Sequence, residues 1–72
     1  MSNWVEVRSF SNNIEAEIAK SALEGAGIKS QIQIEDIVGG LFGLYPGMLA
    51  IRLLVHKERV IDAKKILQAL RP

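Results

Sequence analysis

The chain has 72 residues, no cysteine, and nine basic against eight acidic residues. This length predicts a single small domain over residues 1–72, and the lack of cysteine excludes disulfide bonds and thiolate metal sites. The net charge near zero argues against a dedicated nucleic-acid binder and against a polybasic membrane anchor, since both need a concentrated positive field.

The first third of the chain predicts a strand and then a helix. Residues 3–10 alternate between two faces, as a strand does, and one of those faces carries Trp4, Glu6 and Arg8. Asn12 suits the start of a helix, and Gly27 suits its end in the left-handed conformation. The apolar residues that recur between them at helical spacing, and that we expect to face the core, are Ile14, Ile18, Ala22, Leu23 and Ala26.

The middle of the chain predicts a second strand and then an unusually apolar loop. Residues 28–35 alternate as a strand does, whereas the four glycines and one proline of residues 35–47 exclude a regular helix or strand. The large apolar residues of this loop are Ile37, Val38, Leu41, Phe42, Leu44 and Tyr45. Because loops are normally polar, we expect these side chains to be buried in the chain's own core, in a partner or around a ligand.

The last third of the chain predicts a central strand and a final helix. Residues 48–56 are the densest apolar run, which is typical of a strand at the centre of a sheet. A helix follows from about Lys57 to Leu70. The apolar stripe expected to face the core comprises Val60, Ala63, Leu67 and Leu70, and it is widened by Ile61 and Ile66.

This order of elements predicts an α+β fold. Three strands and two helices in the order β-α-β-β-α match a two-layer ferredoxin-like sandwich with its fourth strand absent and both helices on one face. In that arrangement the first and third strands are central and parallel, and because the fourth strand would lie beside the first, its absence leads us to expect residues 4–9 to be an exposed edge. The uncovered face either contacts a partner or is simply solvated, and it is expected to carry Trp4, Glu6, Arg8, Lys29, Gln31, Gln33, Arg52, Leu54 and His56.

Three stretches of the chain, in their order, carry a family resemblance. They are residues 14–28, then Glu35-Asp36 with the glycine-rich stretch behind it, and then residues 51–55 with Ala63. These stretches resemble a family of short bacterial signal-transducing proteins of unknown biochemical function, whose fold is related to that of the nitrogen-regulatory PII proteins. The resemblance implies a ferredoxin-like fold and a regulatory role. It carries over no nucleotide site, since the PII nucleotide-binding residues and long regulatory loop have no match here.

No constellation of residues predicts catalysis, a metal or a cofactor. His56 is the only histidine, and a lone histidine at the end of a strand is more often a surface or capping residue than a base. Glu35 and Asp36 have no further acid in the next twenty residues, so they suit a solvated pair or a helix cap better than a cation site. The glycines of residues 39–43 lack the Gly-Lys-Ser/Thr ending of a phosphate loop. We therefore expect no enzyme, no metal and no cofactor.

We expect a non-enzymatic, cytoplasmic binding or regulatory module, since the chain also lacks a signal peptide and any run of about 20 apolar residues. Its partner would be another protein or a second copy in a homodimer, and neither nucleic acid nor membrane. The residues expected to contact the partner are Ile37, Leu41, Phe42, Leu44, Tyr45, Trp4, Arg8 and Arg52. The alternative is a small-ligand sensor, in which the loop folds over a metabolite held between Tyr45, Arg52 and His56.

Overall fold

A computed structural model describes residues 3–36 and 49–70. Its elements in chain order are strand β1 (Trp4–Phe10), helix α1 (Asn13–Gly25), strand β2 (Ser30–Asp36), strand β3 (Leu49–His56) and helix α2 (Val60–Ala69). One 3-10 turn, Lys57–Arg59, leads from β3 into α2. This order confirms the predicted α+β, ferredoxin-like arrangement. The apolar loop lies outside the described residues.

The three described strands form one antiparallel sheet in the order β1-β3-β2. The expectation that the first and third strands are parallel is therefore wrong, because β3 runs opposite to β1. The reason is the connection through α1, which crosses the sheet so that β1 and β2 point the same way. A strand inserted between two parallel strands, and antiparallel to one, must be antiparallel to both. Among the strands that the structure describes, β1 lies at the edge of the sheet, as predicted.

The core lies between the sheet and the two helices. Ile51, Leu53 and Val55 alternate along β3 toward the helices, and each is at most 2% exposed. Ile28 just before β2 and the inner faces of both helices complete this core. Every buried residue in the described ranges is apolar, and the remaining ones are Ala16, Ala19, Leu23, Ala63 and Leu67.

Helix α1 turns to the core a face that matches the predicted one only in part, since Leu23 is buried as expected but the two isoleucines are not. Ala16, Ala19 and Leu23 are buried, whereas Ile14 and Ile18 are 69% and 58% exposed. The buried set also recurs at helical spacing, and its two alanines let the helix backbone approach the sheet closely. The prediction assumed that the largest apolar side chains face the core. In this two-layer fold the isoleucines are instead exposed to solvent.

The ends of α1 are fixed by local hydrogen bonds. The Asn12 Oδ1 atom accepts hydrogen bonds from the backbone N–H groups of Ile14 and Glu15, at 2.7 and 3.4 Å. At the other end Gly27 has φ +84°, and the Ile28 N–H donates to the Leu23 carbonyl at 2.9 Å. This is a Schellman motif, in which left-handed glycine turns the chain and Ile28 packs back on the helix. Both predicted ends of the helix are confirmed.

A β-bulge in β1 separates side chains that simple alternation placed together. Glu6 lies opposite Leu54 and Arg8 lies opposite Leu53, so Val7 is the inserted residue. An insertion of one residue reverses the faces of the residues that follow. Arg8 consequently lies with Val7 beside α2, on the side of the helices. The prediction that Arg8 shares the uncovered face with Trp4 and Glu6 is wrong for this reason.

The core assignment predicts a large difference between two truncations. Leu53→Ala should lower the free energy of unfolding by about 2–5 kcal/mol, because it leaves a cavity under both helices. Ile61→Ala is the control. The prediction that Ile61 widens the core-facing stripe of α2 is wrong, since it is 71% exposed, and its truncation should change stability by less than about 0.5 kcal/mol. Urea unfolding measures both values, and equal losses would contradict the position of the core.

A second prediction concerns Ser30, whose Oγ atom is buried and has no hydrogen-bond partner among the described residues. Ser30 lies opposite the buried Val55, on the helix side of the sheet. Burial of an unpaired hydroxyl is unfavourable, so Ser30→Ala should raise the free energy of unfolding by about 1 kcal/mol. Ser9→Ala, at an exposed position of β1, is the control. A loss of stability in the Ser30 variant would show that the hydroxyl has a partner.

Candidate functional site

The candidate site is the face of the sheet turned away from the two helices. Since Ile51, Leu53 and Val55 of β3 point toward the helices, the residues between them point the other way. We call this surface the open face, and its side chains are Trp4, Glu6, Gln31, Gln33, Glu35, Arg52, Leu54 and His56. A shallow depression of about 480 Å³ lies on it, over Arg52 and Leu54.

Arg52 lies near the middle of the open face and links all three strands. Its Nε atom is 3.5 Å from Glu6 Oε1 on β1, and its Nη2 atom is 2.8 Å from Glu35 Oε1 on β2. Both carboxylates are diagonal neighbours of Arg52, because the β3 residues opposite them are Leu54 and Ala50. A long side chain can span such a diagonal. Glu6, Arg52 and Glu35 therefore form one charge row across the sheet.

The charge row orders its side chains more than it stabilises the fold. The three side chains are between 41% and 44% exposed, so water screens their attraction. Exposed ion pairs contribute about 0.2–1 kcal/mol each, and salt weakens them further. The row carries one positive and two negative charges. A ligand thus meets a guanidinium whose charge is already balanced, with surplus negative charge on either side.

An aromatic pair occupies one end of the open face. The rings of Trp4 and His56 stack with their centroids 4.2 Å apart and their planes 29° from parallel. The two residues are directly opposite each other in the β1–β3 register. Next to them the Lys57 N–H donates to the Asn3 carbonyl at 2.8 Å, which joins the ends of the two strands. The pair is thus a stacked, partly exposed aromatic contact at a point where a backbone hydrogen bond joins the two strands.

The predicted contact residues are distributed over different parts of the chain. Trp4 and Arg52 lie on the open face, as predicted, whereas Arg8 lies beside α2. The remaining predicted contacts, namely Ile37, Leu41, Phe42, Leu44 and Tyr45, lie outside the described residues. The sequence interpretation missed Glu35 as a partner of Arg52, because it treated Glu35 as one of two adjacent acids. Alternation along β2 places Glu35 on the same face as Gln31 and Gln33, and that signal could have found it.

The chemistry available on the open face is recognition by stacking, amides and charge. In residues 3–36 and 49–70, no three His, Asp or Glu side chains converge to hold a metal ion. His56 packs its ring on Trp4, and within the same ranges it forms no salt bridge to a carboxylate. The helices of these ranges are all too short or too polar to cross a bilayer.

The charge row predicts a measurable coupling between its members. In a double-mutant cycle, Arg52→Met with Glu35→Gln should give a coupling of about 0.5 kcal/mol, and Arg52→Met with Glu6→Gln a smaller one because that contact is longer. Salt near 1 M should reduce both couplings, since the Debye length falls to about 3 Å. Glu17→Gln on α1 is the control partner. A coupling of Arg52 to Glu17 as large as that to Glu35 would contradict the geometry.

Comparison with known proteins identifies a family but no individual relative. A family model described as "Putative prokaryotic signal transducing protein" matches residues 4–71. No curated protein and no solved structure matches the chain. The relation to the PII fold implied by the resemblance therefore stays a prediction. Since the match extends from β1 through α2, the chain belongs to the family of putative prokaryotic signal transducing proteins.

Proposed function

We propose that this protein is a non-enzymatic regulatory module that binds a protein partner through its open face. The family description supports a role in prokaryotic signal transduction. We choose this surface because Arg52 lies between two carboxylates at the centre of a sheet face that neither helix covers. The apolar loop, which was expected to contact the partner as well, lies outside the described residues, so the choice of surface does not depend on it.

The composition of the open face suits a protein interface. Antiparallel sheets often leave one face to water, so exposure alone is not informative. Tryptophan and arginine, however, are the residue types enriched where interfaces bind most strongly. Arg52 is already ordered by Glu6 and Glu35, and the Trp4 ring is ordered by His56. Side chains that are ordered before binding lose less conformational entropy on association.

The charges of the open face indicate what a partner should bring. Because the charge row has a surplus of negative charge, a basic or amide-bearing partner surface complements it better than an acidic one. Gln31 and Gln33 are exposed on β2 and offer further amide donors and acceptors. A second copy of the chain would complement this face only with a different, basic surface, since two open faces in a symmetric pair would bring their surplus negative charges together.

A small-ligand sensor is the second candidate function. The depression of about 480 Å³ falls within the usual range of ligand sites, about 300–1,000 Å³. Because Arg52 is already paired, the ligand would be neutral or cationic rather than an organic anion. A thermal-shift panel separates this candidate from protein binding, since a ligand selective for the folded state must raise Tm. No shift across neutral and cationic metabolites would count against it.

Site-specific photocrosslinking in cells tests the proposed interface. A photoreactive phenylalanine analogue at Gln33, on the open face, should form one discrete adduct with a protein or with a second copy. The same analogue at Ser21, exposed on α1, is the matched control and should not form that adduct. Arg52→Glu should reduce the Gln33 adduct several-fold, because it places three carboxylates in one row. An adduct that is equal from both positions, or unchanged by Arg52→Glu, would remove the open face as the interface.

A further inference from the structure

A second surface, which we call the basic groove, lies between β1 and α2 on the helix side of the sheet. It is a groove of about 360 Å³, and the residues that matter for its chemistry are Val7, Arg8, Ile61, Lys64, Lys65 and Leu67. The bulge in β1 creates it, since the inserted residue turns Val7 and Arg8 to the same side. The groove shares no residue with the open face.

The floor of the basic groove is apolar. Leu67 is a fully buried core residue at its base, and half-buried Val7 packs against the same core. Ile61 extends this apolar surface outward, with 71% of its surface exposed. A ligand with apolar side chains would therefore gain by covering Val7 and Ile61. A simple inorganic anion would leave this floor unused.

The rim of the basic groove is positively charged and lacks counter-charges. Arg8, Lys64 and Lys65 line it, and no acidic residue does. None of the three forms an ion pair with a carboxylate in the described ranges, whereas Lys20, Arg52 and Arg59 all do. Three uncompensated cations in a chain of net charge +1 give this surface a local field that attracts carboxylates.

The backbone beside the basic groove is a strand edge. β1 pairs with β3 on one side, and no strand among the described residues pairs with its other side. Extended peptides bind such edges by adding a strand, with backbone hydrogen bonds for affinity and alternate side chains for specificity. The bulge at Val7 limits the regular edge to short stretches on either side of it. A short ligand strand therefore fits better than a long one.

The same features disfavour a second copy of the chain at this edge. A two-fold symmetric pairing of β1 with β1 would bring two basic grooves together, and their cations would repel.

We propose that the basic groove binds a short, extended, acidic segment of a partner protein. The segment adds to the outer edge of β1, with apolar side chains over Val7 and Ile61 and carboxylates at Arg8, Lys64 and Lys65. This inference concerns a separate surface and does not depend on the function proposed for the open face.

A peptide titration tests this inference directly. The probe is a labelled peptide as long as β1, seven residues, with valine and glutamate in turn at its odd positions and threonine at its even positions, so that valine and glutamate both face the groove. Two controls are a peptide of the same composition with all valines first, and the probe with lysine in place of glutamate. We expect saturable binding of the probe alone, weakened by salt, with NMR shift changes confined to β1 and α2. Methylation of alternate peptide nitrogens on the edge-facing side should abolish binding, since it removes the donors to the edge.

Charge reversals in the protein locate the binding. Arg8→Glu and Lys64→Glu should each weaken probe binding about fivefold, because each replaces an attraction by a repulsion. Lys64 is exposed, so its variant tests the inference even if Arg8→Glu perturbs the fold. Lys29→Glu, an exposed cation just before β2, is the matched control and should change the affinity less than twofold.

Four outcomes would overturn the inference. Two concern the peptides: no saturation by about 1 mM probe, or binding of the valine-first or the N-methylated peptide that equals binding of the probe. The third is NMR shift changes at Gln33 and Arg52 in place of β1 and α2. The fourth is a homodimer in sedimentation that Ile61→Asp dissociates. The last outcome would assign the groove to a second copy. The Gln33 crosslink is independent of all four, so failure here and failure of the open face are distinguishable.

Discussion

The alternation of side chains along β3 is the constraint on which the rest of this molecule depends. Ile51, Leu53 and Val55 are buried beneath both helices, so β3 anchors the helices and both neighbouring strands to one core. The same alternation directs Arg52, Leu54 and His56 away from that core. In a fold of only two layers, each β3 side chain that points into the core requires the next side chain along the strand to point away from it. The open face is therefore a direct consequence of how the core is packed.

Two surfaces of the molecule differ in how their cations are balanced. On the open face, Arg52 is neutralised by Glu6 and Glu35, which leaves negative charge in excess. In the basic groove, Arg8 and the two lysines have no such partners among the described residues. The net charge of +1 conceals this difference, because it adds the three cations of the groove to acidic residues that lie elsewhere on the chain. A partner of the open face would be basic and a partner of the basic groove would be acidic, so one small protein could contact both partners at the same time.

Local sequence signals predicted the elements of this fold well and its faces less well. The N-cap at Asn12 and the turn at Gly27 depend on neighbouring residues alone, and both were identified from the sequence. The inward face of α1 depends on how closely a helix approaches a sheet, which favoured small alanines over Ile14 and Ile18. The pairing of Arg52 with Glu35 depends on the register between strands that are distant in sequence. Such non-local geometry has no local signal, which is why the candidate site was predicted only in part.

The extra residue in β1 also bears on how such chains are compared. Without the bulge at Val7, Arg8 would follow the alternation of Glu6 and lie on the same face as Arg52. The bulge thus distributes two arginines to opposite sides of a thin sheet. Two chains of equal length, charge and element order could therefore display opposite electrostatic patterns if only one has the bulge. In aligning sequences of this kind, a single-residue gap within the first strand therefore marks a change in which face of the sheet the later side chains of that strand occupy.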